Sequence, residues 1–146
     1  MRKKILLGLL AAVAALYLWN ASWRAAPPAN ASVKLIAHRG VHQTFRKVGV
    51  ENDTCTASLI DPPTHGFIEN TLASMQAAFD AGADIVELDV HPTTDGKFAV
   101  MHDWTLDCRT DGKGVVREQV MALLKSLDVG YGYTADGGAT FPFRGK

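Results

Sequence analysis

The chain has 146 residues, 47% hydrophobic and 21% charged, a composition that excludes an intrinsically disordered protein and favours one domain or part of one. Lys and Arg together number 15, as do Asp and Glu, and this lack of a basic excess argues against nucleic-acid binding. The charges are unevenly placed, because residues 1–31 hold four basic residues and no acidic one, which leaves the rest mildly acidic.

Residues 1–31 are typical of a membrane-targeting segment. Arg2, Lys3 and Lys4 precede an apolar run over residues 5–19, and a small-x-small motif at residues 29–31 predicts cleavage of a signal peptide. One alternative is an uncleaved membrane anchor over residues 5–23, which would associate with the membrane; another is a buried core helix. Signal and anchor both predict export, to the periplasm or the extracytoplasmic membrane face, with residues 25–32 as a linker.

The predicted export guides the interpretation of the two cysteines, Cys55 and Cys108. In an oxidising compartment a pair of cysteines favours a disulfide, and two thiols are too few for a zinc site built from cysteine alone. We therefore expect a Cys55–Cys108 disulfide. Two unrelated buried thiols are the alternative.

The first predicted strand, residues 33–37, ends in His38, Arg39 and Gly40. The irregular stretch that follows, residues 41–68, is long for a connection in a compact domain. It therefore predicts a functional loop or a lid.

A helix is predicted over residues 71–81. Asn70 or Thr71 can cap its start, and Gly82 supplies a left-handed end. Helical spacing places an apolar face toward the core, made of Leu72, Met75 and Phe79.

Residues 84–91 alternate as a strand does, which predicts that Glu87 and Asp89 lie on the same face. Two carboxylates on an otherwise apolar strand are costly to bury unless a partner neutralises them. A hard cation such as Mg²⁺ or Ca²⁺ would do so, and a solvated edge strand is the alternative.

A turn at residues 93–96 joins this strand to another that ends in His102 and Asp103. The connection is too short for a parallel crossover and predicts an antiparallel hairpin. With Asp95 and Gly96 as a two-residue turn, Asp89 lies opposite His102 on one face; a bulge would shift the register by one residue. Beyond the hairpin we expect a helix over residues 117–127 and a glycine-rich loop over residues 128–146.

In order, these landmarks resemble the glycerophosphodiester phosphodiesterase family. They are His38-Arg39-Gly40, Glu69-Asn70-Thr71, Gly82-Ala83-Asp84, Glu87-Leu88-Asp89, Thr94-Asp95-Gly96, His102-Asp103, Arg109-Thr110 and Leu127-Asp128. The resemblance implies an α/β fold, with residues 32–146 forming the N-terminal part of a (β/α)8 barrel. Such barrels typically need ~250 residues, so at 146 residues the barrel is incomplete.

The resemblance also implies roles for individual residues. His38 and His102 are the expected general acid and base, and Arg39 the expected contact to the substrate phosphate. The expected ligands of a divalent metal, Mg²⁺ or Ca²⁺, are Glu87 and Asp89, with Glu69 as a supporting or metal-proximal carboxylate. The implied reaction hydrolyses glycerophosphodiesters to glycerol 3-phosphate and an alcohol. A lysophospholipase D-type enzyme, and a non-catalytic remnant or half of a split protein, are the alternatives.

Overall fold

The computed structural model describes residues 2–25 and 33–146, which form two compact units that divide after Val33. The predicted cleavage motif, and all of the predicted linker but Ala25, lie outside the described residues. The first unit contains helix α1 (Arg2–Trp19) and a 3₁₀ turn (Ser22–Arg24). Helix α1 stops four residues before the end of the predicted anchor. Among the described residues, no helix has both the length and the apolar character needed to cross a membrane.

The second unit is built around a strand–helix–strand motif. Strand β1 (Ile36–His38) pairs in parallel with β2 (Ile85–Glu87), and helix α2 (Leu72–Asp80) connects them and packs against β2. Parallel strands require such a crossover, and this unit is the one that α/β barrels repeat. The register places His38 directly beside Glu87, at the carboxyl ends of the two strands.

Helix α2 begins where the sequence predicts but buries a different face. Thr71 caps it, accepting a hydrogen bond from the Ser74 backbone while the Ser74 hydroxyl accepts one from the Thr71 backbone. The prediction that the apolar face of this helix packs into the core is wrong, because its buried side chains are those of Ser74 and Ala78. Gly40 packs closely against this face, since a Cβ atom added to it (φ +76°) would lie 2.6 Å from the Ser74 hydroxyl. On the predicted face, Leu72 is 85% exposed, Phe79 is 47% exposed and Met75 is partly buried.

The predicted strand over residues 84–91 is interrupted at residues 88–89, so that β3 (Val90–Pro92) is a separate strand. It pairs antiparallel with β4 (Phe98–Val100), as expected for a hairpin. The predicted register is wrong by one residue, because Asp89 lies opposite Met101, whose N–H donates to the Asp89 carbonyl at 3.0 Å. The turn has three residues, with Gly96 at φ +73° in the bulge position, instead of the two assumed from the sequence.

The helix predicted over residues 117–127 is also wrong in extent. A 3₁₀ turn (Val116–Glu118) precedes a single short turn of helix, α3 (Met121–Leu124). The Asp95 carboxylate of the hairpin turn accepts a hydrogen bond from the Met121 N–H at 3.0 Å. This contact sets the start of α3 and connects the helix to the hairpin. The spacing of apolar residues does not predict such a contact.

The long segment over residues 41–68 is part of the core. It supplies Ala57, Ile60 and Ile68, which pack with Tyr133 and Phe143 from the predicted C-terminal loop. The Cys55 and Cys108 sulfur atoms form a disulfide that borders this cluster. The two longest irregular segments of the second unit therefore hold each other in place. A second cluster lies under the hairpin and consists of Ala99, Leu106 and Val116.

The disulfide closes a loop of 53 residues and should contribute strongly to stability. Replacing both cysteines, in Cys55→Ser/Cys108→Ser, should lower the free energy of unfolding by about 4 kcal/mol, because a cross-link of this span restricts the unfolded chain. Urea titration of the oxidised protein and of the double variant measures the difference. Equal stability of the two proteins would show that the cross-link adds nothing to the packing around it.

Candidate active site

The carboxyl ends of β1 and β2 bring an imidazole and a carboxylate together. His38 Nε2 lies 3.8 Å from Glu87 Oε2, an ion-pair distance too long for a hydrogen bond. The His38 side chain is 62% exposed and so open to a ligand, whereas Glu87 Oε2 is buried and has no hydrogen-bond partner. A buried carboxylate oxygen without a hydrogen bond is costly, and a positively charged partner beside it would remove that cost.

Arg39 follows β1 in the left-handed backbone region, at φ 58°. Non-glycine residues rarely adopt this conformation, and such strain concentrates at functional sites. The turn aims the guanidinium inward, where Nη1 donates to Glu69 Oε1 at 3.1 Å. Arg39 Nε lies 2.9 Å from Asp89 Oδ2, but its N–H is not directed at that oxygen, so this contact is an ion pair without a hydrogen bond. The residue predicted to meet phosphate thus faces two carboxylates.

Asn70 is a site residue whose role the sequence did not reveal beyond a possible helix cap. Its backbone is also left-handed, at φ 58°, and its N–H donates to the Arg39 carbonyl at 3.0 Å. The side-chain amide donates to Asp89 Oδ2 at 3.0 Å and accepts from the Asp89 N–H at 3.2 Å. Asn70 therefore orients the carboxylate that follows β2, while the neighbouring Thr71 takes the capping role.

His102 lies at the end of the hairpin and is held by its neighbour in sequence. Its Nδ1 lies 2.9 Å from Asp103 Oδ1, and the ring is 41% exposed. The sequence predicts that His102 lies opposite Asp89. Because the register differs by one residue, the two are not paired in the structure. His91, which shares the hairpin, contacts the His102 carbonyl through Nε2 at 3.3 Å and is itself buried.

Arg109 is the most extensively bonded side chain of the site. Only 7% of the residue is exposed, and its guanidinium lies 3.3 Å from Glu69 Oε2 and donates to Asp103 Oδ2 at 2.9 Å. It also donates to the Tyr133 hydroxyl at 2.6 Å and to Thr56 Oγ1 at 2.9 Å. Arg109 therefore joins four segments of the chain.

The burial of this cluster changes its acid–base properties. Burial alone would lower the pKa of Arg109, but Tyr133, Glu69 and Asp103 outweigh that effect and raise it. Burial raises the pKa of Tyr133 to about 12, against the opposing effect of the Arg109 charge. A small cavity of about 50 Å³ lies in this region, and its lining includes Glu69, His102 and Arg109.

The donor set at these strand ends suits a hard cation only in part. Carboxylate oxygens are the ligands that Mg²⁺ and Ca²⁺ prefer, and Glu87 Oε2 makes no hydrogen bond within the described part of the chain. Glu69 and Asp89, however, face the guanidinium of Arg39. Within residues 2–25 and 33–146, no three or more His, Cys, Asp or Glu side chains are grouped so as to hold a metal ion. The three predicted ligands are therefore not gathered into a metal site.

Enzymes with an α/β barrel place their active-site residues at the carboxyl ends of parallel strands, which is where His38 and Glu87 lie in this structure. A family model described as the glycerophosphoryl diester phosphodiesterase family matches residues 38–145, and the chain belongs to that family. The family predicted from the sequence motifs is thereby confirmed.

Several curated relatives carry the same name. The glycerophosphodiester phosphodiesterase of Caldanaerobacter subterraneus is 45% identical over 62 residues, which cover 42% of this chain and 26% of that protein. Glycerophosphodiester phosphodiesterase 1 of Rattus norvegicus is 49% identical over 65 residues, which cover 44% of this chain and 20% of that protein. The chain thus spans about a quarter of the length of the relatives it matches.

A solved structure confirms the predicted partial α/β barrel. The glycerophosphoryl diester phosphodiesterase domain of a Mycobacterium tuberculosis protein superposes with a TM-score of 0.52 at 26% identity. The match covers 75% of this chain and 33% of that one. The structure therefore corresponds to about one third of that domain.

The buried phenol of Tyr133 predicts a loss of stability at alkaline pH. Its folded pKa of about 12 exceeds the unfolded value of 10.0, so the folded state keeps the proton longer. This stabilisation is complete below pH 10 and is lost as the pH rises from 10 to 12. Relative to Tyr133→Phe, the wild-type protein should lose on the order of 2 kcal/mol over that range.

Urea titrations at a series of pH values measure the difference in unfolding free energy between the two proteins. Below about pH 9 the difference should not change with pH, which provides the internal control. A difference that also stays constant up to about pH 12 would contradict the assigned burial of this hydroxyl.

Proposed function

We propose that this protein is a metal-dependent phosphodiesterase that hydrolyses glycerophosphodiesters to glycerol 3-phosphate and an alcohol. The observation that carries the proposal is the register of β1 against β2, which sets the exposed His38 beside the unpartnered Glu87 oxygen. Membership of the family gives the substrate class.

Hydrolysis of a phosphodiester needs two proton transfers, and the site has two exposed imidazoles for them. One takes the proton from the attacking nucleophile as the bond to phosphorus forms. The other donates a proton to the leaving alkoxide as the second phosphorus–oxygen bond breaks. His38 and His102 are the residues proposed for these roles, since histidine exchanges protons near neutral pH.

The carboxylates are proposed to hold a divalent cation, Mg²⁺ or Ca²⁺, with Glu87 and Asp89 as ligands and Glu69 close by. When bound, such a cation would supply positive charge against the phosphodiester. Arg39 is the side chain proposed to share that task, because a guanidinium forms paired hydrogen bonds to phosphate oxygens. For Arg39 to reach phosphate, its contacts to Glu69 and Asp89 must give way.

We also propose that the protein is exported, with residues 1–31 as the targeting segment. The basic start, the apolar helix α1 and the Cys55–Cys108 disulfide support this proposal, since structural disulfides are typical of oxidising compartments. Cell fractionation should recover the protein outside the cytoplasm, and recovery in the reduced cytoplasmic fraction would contradict export.

The proposed function is tested by hydrolysis of glycerophosphocholine, with and without EDTA. Glycerol 3-phosphate should form only while a divalent cation is present, and a lysophospholipid assayed in parallel distinguishes the lysophospholipase D-type alternative. His102→Ala should lower kcat by about 10²–10⁴-fold, the usual contribution of a general acid or base.

Glu87→Gln should raise the cation concentration needed for half-maximal activity by at least about tenfold. Glu118→Gln is the matched control, because Glu118 is an exposed carboxylate at the 3₁₀ turn before α3. No hydrolysis by the wild-type protein with either substrate would contradict the enzymatic proposal and favour a non-catalytic remnant or half of a split protein.

A further inference from the structure

A continuous set of side-chain contacts leads from the buried core to the imidazole of His102. Asp103 accepts from Arg109 Nε through Oδ2 at 2.9 Å, and its Oδ1 lies 2.9 Å from His102 Nδ1. The two oxygens of a single carboxylate thus face two different partners. One partner, Arg109, is buried, and the other is an exposed ring at the end of the hairpin.

The buried end of this set of contacts, Arg109, is fixed from several directions. Besides Asp103, the guanidinium of Arg109 contacts Glu69, Thr56 and the Tyr133 hydroxyl. Cys108, next to it in sequence, is linked by the disulfide to Cys55, which is next to Thr56. A planar guanidinium with this many partners has little freedom to turn, so it defines where the Asp103 carboxylate lies.

The other oxygen of Asp103 constrains the protonation of the imidazole. A carboxylate can only accept a hydrogen bond, so in a neutral ring the proton must be on Nδ1 for this contact to form. Nε2 then carries the lone pair and is the atom left to receive a proton. At metal-binding histidines, loss of a carboxylate that fixes the tautomer in this way typically costs about 10–100-fold in metal affinity or activity.

We propose that Asp103, fixed by Arg109, is a positioning residue that holds His102 as the Nδ1–H tautomer and presents Nε2 to the substrate. This inference rests on the proposed function and adds to it the direction of proton transfer at His102. As the neutral tautomer, His102 accepts the proton of the attacking nucleophile at Nε2, and the donor role falls to His38.

The test compares the wild-type protein with Asp103→Asn by ¹⁵N NMR of the imidazole rings at a pH where His102 is neutral. Assignment of the His102 signals comes from their loss in His102→Gln. The wild-type ring should show a protonated Nδ1 and an unprotonated Nε2. In Asp103→Asn the ring should shift toward the Nε2–H tautomer, because an amide does not hold the Nδ1 proton as a carboxylate does.

The same variants are then assayed with glycerophosphocholine. Asp103→Asn should lower kcat by about 10–100-fold while KM changes less than about twofold, and Asp103→Glu should recover part of the loss. Asp107→Asn is the matched control, since Asp107 lies on the same loop but pairs with Lys113 at the surface. It should leave the tautomer and kcat as in the wild-type protein.

The inference and the proposed function fail in different ways. A wild-type His102 ring protonated on Nε2 would overturn the inference, whether or not Asp103→Asn folds and whether or not the protein is active. An unchanged tautomer in a folded Asp103→Asn would overturn it as well. No hydrolysis by a wild-type protein whose His102 is protonated on Nδ1 would contradict the proposed function alone.

Discussion

The arrangement of the site depends on one buried positive charge, the guanidinium of Arg109. Removing such a charge from water costs several kcal/mol unless it is paired and hydrogen-bonded. Here the compensation comes from Thr56, Glu69, Asp103 and Tyr133, which belong to four separate parts of the sequence. The charge is therefore tolerated only when these four parts have come together, and that requirement links the long segment over residues 41–68 to the catalytic candidates.

Carboxylates and arginines alternate through the whole site. Glu69 lies between Arg39 and Arg109, and Arg39 in turn faces Asp89. Each of these charges thus has an opposite neighbour, but two of the described buried atoms, Arg39 Nε and Glu87 Oε2, have no hydrogen bond. The Glu87 oxygen lies beside His38, where the proposed chemistry would use a positively charged ligand.

The sequence predicted the elements that depend on local chemistry. Strand β1, the start and end of α2, the hairpin and the family motifs follow from short patterns such as a capping threonine at Thr71 and a turn glycine at Gly96. Features that depend on distant contacts were missed. The observed hairpin register differs from the predicted one by one residue, because the length of the turn cannot be inferred from its composition. Helix α2 buries Ser74 against Gly40, a residue that follows β1 and is distant from Ser74 in sequence.

The candidate site shows the same division. His38, Glu69, Glu87, Asp89 and His102 were identified from motifs, whereas the pairing among them was not. Arg39 was expected to face phosphate, and its left-handed backbone instead directs it to two carboxylates. Arg109 belongs to the Arg109-Thr110 landmark, but the resemblance gives it no role, and nothing in the local pattern marks it as buried. Its position beside the predicted disulfide cysteine Cys108 was the available signal.

The most direct test of the role given to Arg109 is a double-mutant cycle with Glu69, measured on the free energy of unfolding. The cycle uses Arg109→Gln, Glu69→Gln and the double variant, which replace both charges by amides of similar size. A buried, paired charge predicts that the double variant is more stable than the sum of the single losses implies, by about 1–3 kcal/mol. Additive losses would contradict the account, since they would mean that the two charges do not support each other in the folded protein.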